Sequence, residues 1–275
     1  MYARVTNVDE KELLMRTVLL DGDVLVYKVA EAVAESFELT TEEDDEFIYR
    51  NIGWANKAEA TRTAEKMIDD ICTACKAQDL VICLSDMNGN FRKQVNPEYK
   101  ANRKNIKPIL YNWLREYLKQ TGYKIYEKPN LEADDVIGIL ATSDKIIKGD
   151  KVVWSLDKDF KTIPCKFHRA GVNGKDKSEV ITEEAADWWF MYQTLIGDKV
   201  DGYEGCKGIG DVTARKILGE IGEKSLEEMW NLVIKSFEEK GFTEEDALRN
   251  ARMARILRAE DYDFKTKTVK LWEIK

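Results

Sequence analysis

The chain has 275 residues, of which 44% are hydrophobic and 34% charged, and its formal net charge is −8 at pH 7. Its length suits one large domain or two small ones, and its composition is typical of a soluble globular protein. No apolar run approaches the roughly 20 residues of a membrane span, and the first residues carry acids where a signal peptide has an apolar core. The five cysteines lack disulfide-framework spacing, which predicts reduced thiols in cytoplasm, and a single histidine, His168, leaves little material for His-based centres.

Charge is unevenly distributed along the chain. Residues 35–46 contain seven acids and no base, which we interpret as a solvated loop. Residues 91–107 contain six bases and one acid. A local basic patch matters more to nucleic-acid binding than total charge does. The negative net charge therefore does not exclude a nucleic-acid partner.

Two early apolar segments each end in an aspartate. Residues 17–21 predict a buried strand that ends at Asp21 and leads into a helix. An amphipathic helix is predicted over 57–76, and the strand predicted over 80–86 ends at Asp86. Strands that alternate with helices are typical of a parallel sheet, so both aspartates are expected at its carboxyl edge.

A basic and aromatic stretch comes next, and its bases fall at helical spacing. Its members are Phe91, Arg92, Lys93, Tyr99, Lys100, Arg103, Lys104 and Lys107. The last four are spaced i, i+3, i+4 and i+7, which predicts one face of a helix. Bases neutralise phosphates and aromatic rings stack on nucleobases, so the stretch suits single-stranded nucleic acid. A solvated basic helix face accounts for the same spacing.

The middle of the chain holds a block of acids at a helix start. After a helix predicted over 109–120 and a strand over 123–127, Glu132, Asp134 and Asp135 occupy the opening turn of an apolar helix. Acids at helix starts often only cap N–H groups and complement the helix dipole. That simpler reading is favoured for any one such block taken alone.

A second acid pair, Asp157 and Asp159, follows the apolar run 152–156. On a strand, positions i and i+2 lie on the same face, so the two carboxylates are expected to point at one spot. Converging carboxylates are costly unless a cation lies between them. Oxygen-only ligands suit hard divalent ions such as magnesium or manganese.

The last third of the chain is predicted to be mainly helical. Helices are predicted from Thr182 through Leu195, from Ser225, and from Thr243 through Ile256, with a final strand over 268–273.

The segment between the first two of these helices contains both acids and glycines. Asp198 and Asp201 lie three residues apart, and Gly208-Ile209-Gly210 precedes a helix. Such a turn leaves free N–H groups that can hold a phosphate. The bases nearest to this turn are Lys207, Arg215 and Lys216.

The number and placement of the acids favour a metal site over simple capping. Nine acids are predicted at strand ends or in the turns beyond them. They are Asp21, Asp86, Glu132, Asp134, Asp135, Asp157, Asp159, Asp198 and Asp201. Such a set could bind two metal ions about 4 Å apart, the arrangement used in phosphodiester hydrolysis. Together with the basic stretch and the glycine turn, it favours a nuclease.

Several motifs, in this order along nearly the whole chain, resemble those of the 5′-nucleases. These motifs are DGD at 21–23, PEYKANR at 97–103, LEADD at 131–135, SLDKDF at 155–160 and GDKVDGYEGCKGIG at 197–210. The superfamily includes flap endonucleases and the 5′-nuclease domains of bacterial polymerases. The segments DKDFKTIP, EEAADWW and MARILR are most similar to segments of the 5′→3′ exonucleases of short-tailed bacteriophages.

The resemblance implies a fold and a domain organisation. The fold is α/β, with a mostly parallel central sheet flanked by helices, as in 5′-nuclease and PIN-like cores. A single 5′-nuclease domain spans 1–275, with a short helical arch at about 90–107 and a helix–hairpin–helix region at about 183–220.

The resemblance also implies roles for individual residues. Two Mg²⁺ or Mn²⁺ ions are expected, one held by Asp21, Asp86, Glu132 and Asp134, and the other by Asp157, Asp159, Asp198 and Asp201, with Asp135 in support. Lys100 and Arg103 would stabilise charge on the scissile phosphate, with Asp134 and Asp157 as the central catalytic acids, and Tyr99 would stack on the terminal nucleotide. Further DNA contacts are implied for Phe91, Arg92, Lys104, Lys207, Gly208, Gly210, Arg215 and Lys216, and a potassium ion for the hairpin that Gly205, Gly208 and Gly210 turn.

The implied activity is metal-dependent 5′→3′ exonuclease action on duplex DNA at 5′ ends, nicks or flaps. Flap endonuclease and RNase H-like activity on RNA–DNA hybrids are implied with it. The enzyme would serve phage DNA degradation, primer removal and recombination, as a monomer in the cytoplasm of an infected bacterium and without a membrane partner. Two alternatives stay open: a PIN-type ribonuclease, and a non-catalytic protein that binds DNA by its structure.

Overall fold

The computed structural model describes residues 15–43, 46–102, 107–172 and 175–274, and the side chains of these residues other than 36–52 and 172. The strands are β1 (Arg16–Asp21), β2 (Ala34–Glu43), β3 (Glu46–Ala55), β4 (Asp79–Leu84), β5 (Lys124–Glu127), β6 (Asp150–Ser155), β7 (Cys165–Val172), β8 (Lys175–Ile181), β9 (Tyr262–Asp263) and β10 (Thr268–Val269). The helices are α1 (Gly22–Ala32), α2 (Lys57–Cys75), α3 (Arg92–Val95), α4 (Tyr111–Gln120), α5 (Ala133–Ala141), α6 (Glu183–Ile196), α7 (Asp211–Leu218), α8 (Leu226–Glu238) and α9 (Glu244–Ala254), with 3₁₀ turns at Lys158–Thr162 and Ala259–Asp261.

A six-stranded sheet in the order β5-β4-β1-β6-β7-β8 forms the centre of the structure. Its first five strands run parallel, and β8 is antiparallel to β7. In the central strand, Leu19 pairs with Val81 on one side and Val153 on the other, and all three are fully buried. Strands covered on both faces are continuously apolar. The parallel order brings the carboxyl ends of β1, β4 and β6 to one edge of the sheet.

Helices cover both faces of this sheet. Residues of α1, α2 and α4 pack on one face, and α5 packs on the other together with the segment 256–262. A separate apolar cluster joins α6, α7, α8 and α9 with Trp272. The sequence-based prediction of an α/β fold with a mostly parallel sheet is therefore confirmed.

The prediction of a solvated loop over 35–46 is wrong. Residues 34–43 and 46–55 form the antiparallel strands β2 and β3 of a hairpin, with Phe37 paired to Ile52 and Leu39 to Arg50. Before the acids, Phe37 and Leu39 alternate with polar residues, which fits a strand period of two. The acids masked this alternation in the sequence, while Asp44 and Asp45 lie outside the described residues.

The prediction of a basic helix continuing through Lys107 is also wrong. Helix α3 ends at Val95, residues 97–102 form turns, and Lys100 has a left-handed φ of 56° that a right-handed helix does not allow. Arg103 and Lys104 lie outside the described residues. The predicted final strand over 268–273 is also shorter than expected, since β10 spans two residues.

Two further expectations can be compared with the structure. Within the described ranges, no helix is both long and apolar enough to cross a membrane. All five cysteines are free thiols, as predicted, and Cys75, Cys83 and Cys206 are buried.

Candidate active site

An open cavity of about 730 Å³ lies at the sheet edge where β1, β4 and β6 end. Seven of the nine predicted acids line it: Asp21, Asp86, Glu132, Asp134, Asp157, Asp159 and Asp201. Lys28, Lys93, Lys100 and Lys107 also contribute to its walls. Asp135 and Asp198 do not line it. The parallel sheet thus brings together acids that are up to 180 residues apart in the chain.

Asp21 closes the buried end of the cavity. Its side chain accepts hydrogen bonds from Ser155 Oγ at 2.7 Å and from Val24 N at 3.1 Å, where it caps α1. Burial raises the pKa of Asp21 to about 7, and repulsion by Asp23 and Asp157 adds to the effect. The protein contacts of Asp21 therefore do not offset the cost of burying its negative charge.

Asp134 faces the same cavity from the first turn of α5. Desolvation raises the pKa of Asp134 well above its ordinary value, and repulsion by Asp21, Asp157 and Glu132 raises it further. A cluster of carboxylates that repel each other in a desolvated cavity is one that a cation would stabilise.

Asp157 and Asp159 come together by a different geometry from the one predicted. Strand β6 ends at Ser155, and Asp157 caps the following 3₁₀ turn by accepting from Asp159 N at 2.9 Å. Asp159 accepts from Gln193 Nε2 at 2.9 Å and from Lys158 Nζ at 2.7 Å. The prediction that both lie on a strand is wrong, although both line the cavity.

Glu132 lies among cations and a phenol. Its carboxylate accepts hydrogen bonds from Lys100 Nζ at 2.5 Å, Tyr99 Oη at 2.8 Å and Arg92 Nη1 at 3.0 Å. Desolvation alone would raise the pKa of Glu132, but Arg92 and Lys100 lower it to about 2. Glu132 is therefore ionised at neutral pH and compensated by protein cations.

Arg92 and Asp135 form a buried ion pair beside the cavity, and Arg92 also donates to the cavity acid Glu132. Two Arg92 nitrogens lie 2.7 and 2.8 Å from the Asp135 carboxylate oxygens, and Arg92 also donates to the carbonyls of Met253 and Arg255. Asp135 is fully buried and also accepts from Leu257 N at 3.2 Å. The predicted DNA contact of Arg92 stays a prediction, and in this structure its guanidinium is paired with Asp135 and Glu132. Asp135 does not line the cavity and contacts the site through Arg92.

The two aromatic residues predicted to contact DNA are also buried. Phe91 and Tyr99 are 5% and 3% exposed, and Arg92 lies over both rings. Tyr99 still forms part of the cavity wall through its hydroxyl bond to Glu132. Stacking of Tyr99 on a terminal base stays a prediction, since its ring is buried in this structure.

Lys100 is held in position by the turn that carries Asp201. Its backbone N donates to Asp201 O at 3.0 Å, and its Nζ lies 3.6 Å from Asp201 Oδ2. The neighbouring Gly202 has a φ of 84°, and a Cβ there would lie 2.8 Å from Glu98 O. Only glycine allows this close approach of the two turns.

Asp86 and Asp198 organise backbone turns with their carboxylates. Asp86 accepts from Asn88 N and Asn130 N, both at 2.8 Å, and these hydrogen bonds lower its pKa. Asp198 accepts from Val200 N at 2.8 Å and from Asp201 N at 3.2 Å. Asp198 therefore shapes the turn that positions Asp201.

Two residues that the sequence did not assign stabilise the site. Asp23 lines the cavity and accepts hydrogen bonds from Ser85 N and from the buried Arg115, which also donates to Ser85 O at 2.6 Å. The DGD motif was a signal for Asp23. Arg115 lies within an ordinary amphipathic helix, where no local pattern distinguishes it.

The donors that line the cavity fit a hard divalent ion better than a soft one. They are carboxylate oxygens without a cysteine or histidine among them. Burial and repulsion by neighbouring carboxylates disfavour the charge of Asp21, and at the half-buried Asp134 the same effects outweigh the attraction of Lys100. In the described part of the chain, no three His, Cys, Asp or Glu side chains are close enough to enclose an ion as they stand. Glu132 is paired with Lys100 and Arg92, and Asp86 accepts hydrogen bonds from backbone amides.

The glycine segment 197–210 connects α6 to α7. Gly208 has a φ of 80°, is exposed, and is followed by Gly210 at the start of α7. Lys207, Arg215 and Lys216 are exposed around it. The sequence-based prediction of a phosphate-binding turn here stays a prediction.

Comparisons with known proteins agree with this arrangement. Residues 16–186 match the model of the 5′-3′ exonuclease N-terminal, resolvase-like domain. The chain is 32% identical to the exonuclease of Escherichia phage T7, over 98% of this chain and 96% of the phage protein. It is also 32% identical to DNA polymerase I of Caldicellulosiruptor bescii, over 78% of this chain and 25% of that polymerase.

The fold has a solved counterpart as well. The flap endonuclease of bacteriophage T5, in a complex with DNA and metal ions, superposes with a TM-score of 0.63 at 15% identity, covering 88% of this chain and 89% of that one. The family model and the relatives at 32% identity confirm the family that the motifs predicted. The chain belongs to the 5′-3′ exonuclease family and is an enzyme of that class.

Proposed function

We propose that this 5′-3′ exonuclease hydrolyses phosphodiester bonds at the 5′ ends of duplex DNA, at the carboxylate-lined cavity. The observation that carries the proposal is the convergence of seven acids and Lys100 on one open cavity at the carboxyl edge of a parallel sheet. Open α/β sheets bind their ligands at this edge. Because relatives at 32% identity are phage exonucleases, we place the activity in the cytoplasm of an infected bacterium.

We infer that Asp21, Asp86, Glu132, Asp134, Asp157, Asp159 and Asp201 hold two Mg²⁺ or Mn²⁺ ions. When bound, these ions supply a water of lowered pKa and neutralise charge on the leaving oxygen. Asp198 takes part through the Asp201 turn, and Asp135 through Arg92. Both are positioning residues in this assignment.

Lys100 is the cation best placed to act on the substrate. Its amine is bound to Glu132 and Asp201 and lies at the cavity wall. Glu132 and Asp201 are among the residues that would hold a divalent ion, and the Lys100 amine beside them would be positioned to donate hydrogen bonds to a phosphate in the cavity. Such a donor stabilises the negative charge that develops in the transition state. Arg103 is proposed to act beside it on sequence grounds.

The glycine segment is proposed to bind the duplex part of the DNA. Free N–H groups at the start of α7, with Lys207 and Lys216 nearby, suit a phosphate. Its carbonyls are proposed to hold a potassium ion, as the resemblance implies. Replacing K⁺ by Na⁺ at constant ionic strength should then weaken duplex binding.

The proposal is tested by a gel assay on nicked, blunt and 5′-flap duplexes labelled at either end, with magnesium or with EDTA. Loss of nucleotides from 5′ ends and at nicks, only with metal, is the expected result. An RNA–DNA hybrid arm tests RNase H-like action, and light scattering tests for the expected monomer.

Two results would contradict the proposal in different ways. Cleavage of single-stranded RNA in preference to DNA ends would favour a PIN-type ribonuclease. Loss from 3′ ends alone would contradict the direction of the reaction.

A further inference from the structure

A cation–aromatic cluster lies outside the cavity, on the side of α6. Lys161 and Arg215 both approach the Trp189 ring of α6, and their charged groups are 4.6 and 5.5 Å from its ring centroid. Lys161 comes from the 3₁₀ turn that follows Asp157, and Arg215 comes from α7. We call these three residues the Trp189 patch.

The Trp189 patch is rigidly built. The Trp189 indole meets Trp188 and Tyr192 edge-on, with centroids 5.1 and 5.2 Å apart. Arg215 Nε donates to Asp211 at 2.7 Å, and Asp211 accepts from Tyr192 Oη at 2.5 Å. Arg215 keeps 48% of its side chain exposed despite these contacts. Its guanidinium is therefore pre-oriented and accessible.

Bases outnumber acids around the patch. Lys177 and Arg169 lie close enough to Lys161 to lower its pKa together with Arg215, in addition to the effect of burial. Glu179 raises that pKa, but it is shared, since it lies 2.8 Å from Lys177 and 3.8 Å from Lys161. With Asp211 paired to Arg215, four bases face two acids.

The position of the patch relates it to the cavity. Trp189 precedes Gln193 by four residues of the helix, about 6 Å along its axis. Gln193 lines the cavity and donates to Asp159. At its other end, Arg215 lies on the helix that begins directly after the glycine segment. The patch thus connects the cavity to that segment.

We propose that the Trp189 patch binds the phosphate backbone of the duplex part of the DNA substrate, between the cavity and the glycine segment. The proposal rests on the proposed function for the identity of the substrate. Two cations on one ring lie within about a Debye length of each other, roughly 10 Å at 0.1 M salt, and can act on neighbouring phosphates. Because Lys161 and Arg215 already contact the indole, the patch favours contact with the phosphate backbone over stacking of a single-stranded base.

The patch is tested by measuring fluorescence anisotropy of a labelled blunt duplex in EDTA over a range of salt concentrations. Lys161→Ala should weaken duplex binding about 3- to 10-fold and reduce the slope of log Kd against log salt by about 1, since one phosphate contact is lost. Lys161→Arg should restore both values. Lys66→Ala, which removes an exposed lysine of α2 that is paired with Asp70, is the matched control and should change neither.

The outcomes separate this proposal from the proposed function. Unchanged affinity and salt slope in Lys161→Ala, or weakened binding of single-stranded DNA alone, would overturn the patch assignment even if the wild type cleaves DNA. Wild-type protein that does not cleave, together with the expected affinity loss, would support the patch and contradict the proposed function. Thermal unfolding of each variant should match the wild type, so that misfolding is not read as weak binding.

Discussion

The Lys100 amine forms ion pairs with two cavity carboxylates, at 2.5 Å from Glu132 and 3.6 Å from Asp201. Its left-handed backbone conformation, which is uncommon for a residue with a Cβ, is held by the hydrogen bond to Asp201 O. Strained conformations of this kind are found at functional sites, where surrounding contacts fix one side chain in place.

Replacing Lys100 with Ala should slow the chemical step by roughly 100-fold or more and change DNA affinity by less than about 3-fold, because its charge acts mainly on the transition state. Single-turnover rates and anisotropy measure the two effects separately. Lys93→Ala is the control, since it removes an exposed lysine of the same cavity wall. A loss of affinity with an unchanged rate would reduce Lys100 to a phosphate anchor.

The buried carboxyl of Asp21 predicts how stability depends on pH in EDTA. Its pKa rises from 3.8 in the unfolded chain to about 7 in the folded chain, so the folded chain holds a proton that the unfolded chain has released. This contribution is fully present below pH 4 and is lost as pH rises to 7, by up to about 1.4 kcal/mol per pH unit. The melting temperature in EDTA should fall from pH 5 to pH 8. In Asp21→Asn the fall should be smaller, and an equal fall in both proteins would contradict the assignment.

Single residues were predicted unevenly from the sequence. Acids at strand ends could be found because apolar runs that end in Asp are a local pattern. The burial of Arg92 could not be predicted, because its partners Asp135, Met253 and Arg255 lie 43 to 163 residues away in the chain. The composition of 91–107 is the same whether a base faces DNA or an internal carboxylate.

At the scale of elements, the Arg92–Asp135 pair ties α3 to the start of α5 and to the segment after α9. Arg92 is 3% exposed, and Asp135 is fully buried. The pair therefore fixes the orientation of the turn that carries Glu132 and Asp134.

Replacing Arg92 with Met should lower the free energy of unfolding by about 3–5 kcal/mol, because Asp135 would keep an uncompensated buried charge. Urea unfolding would measure the change, with the exposed neighbour Lys93→Met as the control. Adding Asp135→Leu to Arg92→Met should recover part of the loss. A loss below about 1 kcal/mol in the single variant would show that Arg92 is not a structural residue.

Elements with one dominant period were predicted well, and elements without one were not. Helix α2 and strand β1, which ends at Asp21, follow from apolar spacing. Strand β4 does so too, although it ends at Leu84, two residues before Asp86. The hairpin β2–β3 was hidden by its acids, and the turns at 97–102 have bases at helical spacing by coincidence. Their geometry depends on contacts with the Asp201 turn, such as Lys100 N to Asp201 O.

At the scale of the whole molecule, the strand order is what makes one site from scattered acids. Central strand β1 lies between β4 and β6, so Asp21 meets the acids that follow both neighbours. The alternation of strands and helices predicted a parallel sheet, and the sequence motifs predicted the family. The partners that neutralise Glu132 and the Trp189 patch depend on side-chain packing between distant segments, which the sequence alone does not specify.

The most direct test of the central claim compares wild type with Asp157→Asn on one nicked duplex in magnesium. Asp157 lines the cavity and caps the adjacent turn, and Asn keeps its size while removing its charge. The account predicts that Asp157→Asn loses cleavage from the 5′ side of the nick by roughly 1,000-fold or more while its duplex Kd stays within about 3-fold of wild type. Cleavage by Asp157→Asn at the wild-type rate would show that the carboxylate-lined cavity is not the active site.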